Sequence, residues 1–235
     1  MRIGLACYEF RNGDTEYNLG QIEKGLTEAA GKADLLCFGE TFLQGFDALS
    51  WDYEKDRAVG VGRDSETFAR LKQLTVKTGV DLLTGYIEAE GDALYSSCVL
   101  ISGGRTVYNY RRISVGWKEY SRTDVHYREG GVTEDFDYRG RKLRITLCGD
   151  LWEYPERFRT DGILIWPVYV DFSLEDWKRE EKEYAAQAAK AAGTVLMINS
   201  ITRTPVCHGG AFRFEKGEII EKLPFDREGI LYTDL

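Results

Sequence analysis

Apolar segments and amphipathic segments alternate along the first third of the chain, and this alternation constrains the fold more than any other feature. Residues 2–10 have the pattern of a strand, and residues 34–40 (DLLCFGE) form a second buried strand that ends on a carboxylate. Between them, residues 19–29 carry apolar side chains at helical spacing, after a capping residue at Asp14. A strand–helix–strand order of this kind predicts an α/β fold with parallel strands.

The middle third is rich in strands. Strand patterns lie at residues 81–88, 94–102 and 105–113. The pair Gly103-Gly104 predicts a hairpin turn between the last two of them. Residues 114–139 show no steady period and carry many polar residues, which predicts a long functional loop.

The last third returns to the α/β pattern and then ends in strands. Residues 141–148 alternate, which places Cys148 on the face opposite to Leu143 and Ile145. A helix is predicted from a cap at Ser173 through Ala192. Further strands are predicted at residues 162–168, 194–200, 206–214, 218–225 and 229–233. Earlier in the chain, a second helix of the first third begins at Asp64 or Ser65 and ends at Gly79. Helices outside two sheets predict a single domain over residues 1–235, a four-layer α-β-β-α sandwich.

Composition excludes several classes of protein. The net charge of −8 argues against general affinity for nucleic acid or an anionic membrane. No apolar run approaches the roughly 20 residues of a membrane span, and the first ten residues do not resemble a signal peptide. The five cysteines include no CxxC pair, so neither a disulfide framework nor a zinc site is expected, and a reducing, cytoplasmic compartment is predicted.

Three polar residues stand at the ends of predicted buried strands: Glu40, Arg112 and Cys148. Strand ends of α/β sheets are where active sites assemble, because the sheet fixes these residues and the loops leave them accessible. Gly149 follows the cysteine, and the pattern predicts a sharp turn into a short helix. A thiol at such a turn is expected to lie near free backbone N–H groups, which would lower its pKa and bind an oxyanion.

Four stretches in register resemble the nitrilase, or carbon–nitrogen hydrolase, superfamily. They are LCFGETFLQGF (36–46), YRR (110–112), LCGDLWEYPE (147–156) and CHGGAFRFEKGEI (207–219). The resemblance implies an αββα sandwich, a Glu–Lys–Cys triad and assembly into homodimers or larger homo-oligomers. It implies that Glu40 is the general base and acid and that Cys148 is the nucleophile. It also implies that Glu119 is a second glutamate, which orients the substrate or helps to position the partners of Glu40.

The sequence departs from the family pattern at two positions. Arg112 stands where the family has the triad lysine, and Gly39 replaces the proline usual before the glutamate. An arginine is longer, forked and permanently charged, so the exchange is not conservative at a packed site. Arg112 either pairs with Glu40 and supports the Cys148 thiolate or fills the space meant for a substrate carbonyl, and Lys118 is an alternative source of an ammonium group.

Together with these residues, the resemblance implies a cysteine-dependent hydrolase of a small amide or N-carbamoyl compound, less favourably a nitrile, acting through a thioester without a cofactor or metal. Arg112 and the Gly149 N–H would stabilise the oxyanion. The alternative is a family member without activity, whose Glu–Arg–Cys cluster serves as a binding or assembly pocket. His126 and His208 are interpreted as turn histidines rather than as bases for the cysteine.

Overall fold

The computed structural model describes residues 1–235, in which twelve strands form two six-stranded sheets. The strands are β1 (Arg2–Cys7), β2 (Leu35–Cys37), β3 (Asp81–Glu90), β4 (Ala93–Ser102), β5 (Arg105–Arg111), β6 (Phe136–Tyr138), β7 (Arg141–Ile145), β8 (Ile163–Val168), β9 (Thr194–Arg203), β10 (Val206–Glu215), β11 (Glu218–Leu223) and β12 (Gly229–Asp234). Their orders are β12-β1-β2-β3-β4-β5 and β11-β10-β9-β8-β7-β6. Three central strands of each sheet are parallel, as the strand–helix alternation predicts.

Five α-helices connect or cover these strands. They are α1 (Thr15–Ala29), α2 (Tyr53–Asp56), α3 (Glu66–Thr78), α4 (Asp150–Glu153) and α5 (Leu174–Ala188), with 3₁₀ turns at Val115–Trp117 and Pro155–Phe158. The predicted caps Asp14, Ser65 and Ser173 each accept a backbone N–H three residues ahead. The Lys216-Gly217 turn has φ angles of 50° and 88°, the left-handed pair that a tight hairpin requires.

The two sheets pack face to face, with helices on both outer faces. Alternate residues of one strand separate the layers: Leu35 and Cys37 face the second sheet, whereas Leu36 and Phe38 face α1 and α3. Helix α5 packs on β10 and β11 of the second sheet. The structure therefore confirms the predicted four-layer α-β-β-α sandwich.

Several predicted elements differ in length from the observed ones. The strand predicted over 34–40 covers only Leu35–Cys37, so Glu40 follows the strand by three residues. Likewise, the strand predicted over 141–148 ends at Ile145, and α5 ends at Ala188. The predicted loop 114–139 contains a 3₁₀ turn and β6. No helix has both the length and the apolar character needed to cross a membrane. All five cysteines are free thiols.

One buried hydrogen bond joins the two sheets at the end opposite to Glu40. Tyr138 of β6 donates its hydroxyl to Asp81 Oδ2 of β3 at 2.6 Å, and Arg139 donates to the same oxygen at 3.0 Å. Because a hydrogen bond to a charged group contributes about 1.5–3 kcal/mol, we expect Tyr138→Phe to lower the free energy of unfolding by that amount. Urea denaturation measures the loss, and Tyr120→Phe is the control because Tyr120 is exposed. Equal stability of the two variants would contradict this role.

Candidate active site

Glu40 lies just beyond the end of β2, fully buried between the sheets. Its Oε1 accepts hydrogen bonds from Arg112 Nη1 at 2.9 Å and from Ser96 Oγ at 3.2 Å. Its Oε2 is buried and has no hydrogen-bond partner in the protein. A buried carboxylate oxygen without a partner is costly to maintain, and it is free to accept a proton.

Arg112 follows β5 and is almost fully buried beside Glu40. Its Nε donates to Ser114 Oγ at 2.7 Å, and its Nη1 donates to Glu40. Nη2 makes no hydrogen bond with the protein and points at the Cys148 turn: a Cβ added at Gly149 would lie only 2.6 Å from it. The arginine therefore connects the carboxylate with the backbone next to the cysteine.

Cys148 stands at a strained turn between β7 and α4. Its φ of 35° is rare for a residue other than glycine. The turn is fixed on both sides, because Cys148 N donates to Pro167 O at 3.0 Å and Trp166 Nε1 donates to Cys148 O at 3.0 Å. The Gly149 N–H makes no hydrogen bond within the protein. The predicted turn is thus present, and it leaves one backbone donor free beside the thiol.

Asp150 ties this turn to the loop that carries Arg112. Its carboxylate accepts from Tyr110 Oη, Ile113 N, Ser114 N and Leu147 N, at 2.6, 3.1, 2.7 and 3.0 Å. These four donors come from both sheets and saturate the buried carboxylate. Asp150 is therefore a structural anchor, and the bonds fix Cys148 relative to Arg112.

Burial sets the protonation states at the site. Burial raises the pKa of Cys148 to about 12; the Glu40 charge adds to the rise and Arg112 opposes it. Burial also raises the pKa of Glu40, and the Arg112 charge only partly offsets this. Although burial disfavours the Arg112 charge, the Glu40, Cys148 and Asp150 charges together raise its pKa. The expectation that the turn lowers the pKa of Cys148 is wrong, because desolvation of the thiolate outweighs the nearby donors.

Two other predicted contributors lie elsewhere. Glu119 is exposed, and its Oε1 accepts from Ser121 Oγ at 2.8 Å, so the structure does not bring it together with Glu40 and Cys148. Lys118 pairs with Glu129 at 2.6 Å rather than with Glu40. His126 and His208 pair with Asp124 and Asp226 at 2.8 and 2.7 Å, consistent with their interpretation as turn histidines.

Sequence reasoning missed the two serines that hold the charged pair. Ser96 lies within β4 and donates to Glu40, whereas Ser114 accepts from Arg112; both are buried. The pair Ser96-Ser97 interrupts an otherwise apolar strand, which is a detectable signal for a buried polar contact. Ser114 carried no such signal because it lies in a segment without a period.

The glycine at position 39, where the family pattern has a proline, has a steric explanation. A Cβ at Gly39 would lie 2.3 Å from Ser200 Oγ and 3.3 Å from the Val168 carbonyl oxygen. Ser200 of β9 is buried, and its hydroxyl has no hydrogen-bond partner. The Ser200 side chain thus occupies the space that a side chain before Glu40 would need.

A sequence profile of the carbon-nitrogen hydrolase family matches residues 2–235, so the chain belongs to this family. A relative among characterised proteins is an (R)-stereoselective amidase from Pseudomonas sp, 29% identical over 159 residues, which are 68% of this chain and 55% of the amidase. The chain thus spans about half the length of that relative and of a Pyrococcus abyssi nitrilase, of which 55% is covered.

Solved structures share the fold over nearly the whole chain. XC1258 from Xanthomonas campestris, a CN-hydrolase superfamily protein with an arsenic adduct in its active site, has a TM-score of 0.80 at 16% identity and covers 99% of this chain and 89% of its own. A variant of the amidase from Nesterenkonia sp. AN1, with acrylamide added at its active-site cysteine, has a TM-score of 0.80 at 20% identity and covers 100% and 93%. These likenesses confirm the nitrilase fold.

The contact between positions 39 and 200 gives a testable prediction. We expect Gly39→Ala to lower the free energy of unfolding by about 1–3 kcal/mol, because the new methyl group overlaps Ser200 Oγ. In a Ser200→Ala background the nearest Ser200 atom is Cβ, 3.4 Å away, so the same substitution is tolerated better. A double-mutant cycle in urea measures the coupling. Additive effects would contradict the steric explanation.

Proposed function

We propose that the chain is a cysteine-dependent hydrolase of small, non-peptide C–N bonds in amides or N-carbamoyl compounds, acting through a thioester. The observation that carries the proposal is the buried Glu40 carboxylate, which has one unpartnered oxygen and pairs with an arginine that reaches the Cys148 turn. The amidase among the relatives and the reactive cysteine of the Nesterenkonia amidase support it.

Acylation begins with a protonated thiol, because the pKa of Cys148 is raised to about 12. Glu40 accepts the thiol proton as the sulfur attacks the carbonyl carbon, and the carbonyl π electrons move to oxygen. Arg112 Nη2 and the Gly149 N–H stabilise this oxyanion. The intermediate then collapses: the C–N bond breaks, and Glu40 returns the proton to the leaving nitrogen, which departs as ammonia or an amine.

Deacylation uses Glu40 and the same oxyanion donors, with water as the nucleophile and the Cys148 sulfur as the leaving group. Glu40 accepts a proton from water as the water oxygen attacks the thioester carbon. The second oxyanion forms in the same place, and its collapse breaks the C–S bond. Glu40 then reprotonates the sulfur and the carboxylic acid leaves, so the thiol and the carboxylate are both restored.

The domain organisation, assembly, substrate type and cellular location of the protein are part of the same proposal. We propose that residues 1–235 act as a single domain, because one apolar core joins both sheets. Assembly into a homodimer or larger homo-oligomer, use of a small amide-type substrate and a cytoplasmic location remain predictions. The five free thiols fit a reducing compartment.

Substitution of Glu40, the proposed general base, tests whether it transfers protons during hydrolysis. We expect Glu40→Gln to lower kcat/KM for amide hydrolysis by about 10²–10⁴-fold, since proton transfer is lost. The same change should speed alkylation of Cys148 by iodoacetamide, because the Glu40 charge raises the pKa of the thiol. In the wild type, hydrolysis should fall as the pH drops through the raised pKa of Glu40, above the ordinary value of about 4.3.

Mass spectrometry measures the rate of amide hydrolysis, and peptide mapping measures the rate at which Cys148 is alkylated. Cys148→Ser is the control without the nucleophile, and the four buried cysteines report nonspecific labelling. Unchanged hydrolysis in Glu40→Gln would contradict a proton-transfer role.

Arg112→Lys tests whether the arginine serves catalysis. A lysine cannot contact Glu40, Ser114 and the Gly149 region together, so we expect kcat to fall about a hundredfold, the size typical of a lost oxyanion donor. Arg111→Lys is the matched control, because Arg111 lies on the other face of β5 and pairs with Glu88 at 2.8 Å.

The opposite result supports the second candidate function. Arg112 Nη2 lies close to the place of the substrate oxygen, against Gly149. If hydrolysis appears only in Arg112→Lys, the arginine blocks the site, and the natural protein uses the cluster as a binding or assembly pocket.

A further inference from the structure

A second carboxylate lies beside the site and has no partner. Glu153 ends α4, and its N–H donates to Gly149 O at 2.9 Å, so it stands one helical turn beyond the Cys148 elbow. Its side chain is exposed and makes no hydrogen bond or ion pair with the protein. A free carboxylate at this place is available to a ligand.

Gly116 connects Glu153 with the catalytic cluster. A Cβ added at Gly116 would lie 3.1 Å from Arg112 Nη2 and 3.9 Å from Glu153 Oε1. Because residue 116 is a glycine, no side chain stands at this position within 4 Å of both the guanidinium and the carboxylate. Lys118 of the same loop does not neutralise Glu153, since it pairs with Glu129 at 2.6 Å. A positive and a negative group thus both lie near the Gly116 position, beside the Cys148 turn.

We propose that Glu153 determines substrate specificity, and that the preferred substrates are small amides whose acyl group carries a protonated amine a few bonds from the carbonyl. This inference rests on the proposed hydrolase function. The carbonyl oxygen of such a substrate lies against Arg112 Nη2 and the Gly149 N–H. Its ammonium group lies on the other side of the Gly116 position, where it pairs with the Glu153 carboxylate.

In this proposal Glu153, rather than Glu119, is the glutamate that orients the substrate. The family resemblance implies that Glu119 orients the substrate, but the Glu119 carboxylate is held by Ser121 in an exposed turn. Glu153 lies near the same Gly116 position as the arginine that replaces the family lysine. The charge pattern also disfavours an anionic acyl group, which Glu153 would repel.

Three amides of the same length test the proposal: β-alaninamide (cationic), butyramide (neutral) and succinamate (anionic). We expect the wild type to prefer β-alaninamide over butyramide by about fivefold in kcat/KM, the size of an ion pair at a partly exposed site. Glu153→Gln should remove this preference mainly through KM, with kcat for butyramide nearly unchanged. Glu156→Gln, which removes an exposed charge from the next turn, should keep the preference.

A second measurement does not require hydrolysis. Propyl methanethiosulfonate and its cationic 2-aminoethyl analogue are nearly isosteric, and both label the Cys148 thiol. Glu153→Gln should lower the ratio of cationic to neutral labelling rates about fivefold, whereas Glu156→Gln and Glu119→Gln should leave it unchanged. This shift without hydrolysis of any of the amides would place Glu153 beside the thiol but reject the proposed function, and with it a role of Glu153 in substrate specificity. An unchanged ratio, or a shift in Glu119→Gln instead, would overturn the inference.

Discussion

The buried ion pair between Glu40 and Arg112 is the interaction on which the site depends. Removal of two charges from water is expensive, and the mutual attraction repays it only when the remaining donors and acceptors are also satisfied. Ser96 and Ser114 each supply one such contact, whereas Glu40 Oε2 and Arg112 Nη2 have no partner in the protein. The pair also joins loops that follow β2 and β5, so its geometry is fixed by the sheet edge rather than by flexible side chains.

An arginine meets requirements here that a lysine cannot. Its planar fork presents three nitrogens in fixed directions: Nε contacts Ser114, Nη1 contacts Glu40, and Nη2 faces the Cys148 turn. The larger group needs space, and glycines at 116 and 149 provide it. The residues around Arg112 therefore fit a guanidinium.

The sequence predicted the layers and the three residues of the cluster because both follow from local patterns. Alternation identified the sheets, and polar residues that end apolar runs identified Glu40 and Cys148. The raised pKa of Cys148 was not predictable, because desolvation depends on every layer packed around the thiol. The exposed position of Glu119 was equally hidden, since a loop without a period does not reveal which way its carboxylate faces. Ser200 against Gly39 is a contact between distant strands, which no local pattern records.

The ionisation states of Glu40 and Cys148 depend on each other and on how deeply the fold buries them. Glu40 and Cys148 are two acids in one buried site, so ionisation of either raises the pKa of the other. Burial raises the pKa of both acids, and for Cys148 the rise to about 12 keeps the thiol protonated near neutral pH. In the proposed reaction the thiol proton moves to Glu40 only as the sulfur attacks, so that negative charge passes to the substrate oxygen rather than building up on the sulfur. A protonated thiol also resists oxidation, because the thiolate is the reactive species. The same desolvation that makes the nucleophile weak at rest thus links its activation to the presence of a substrate.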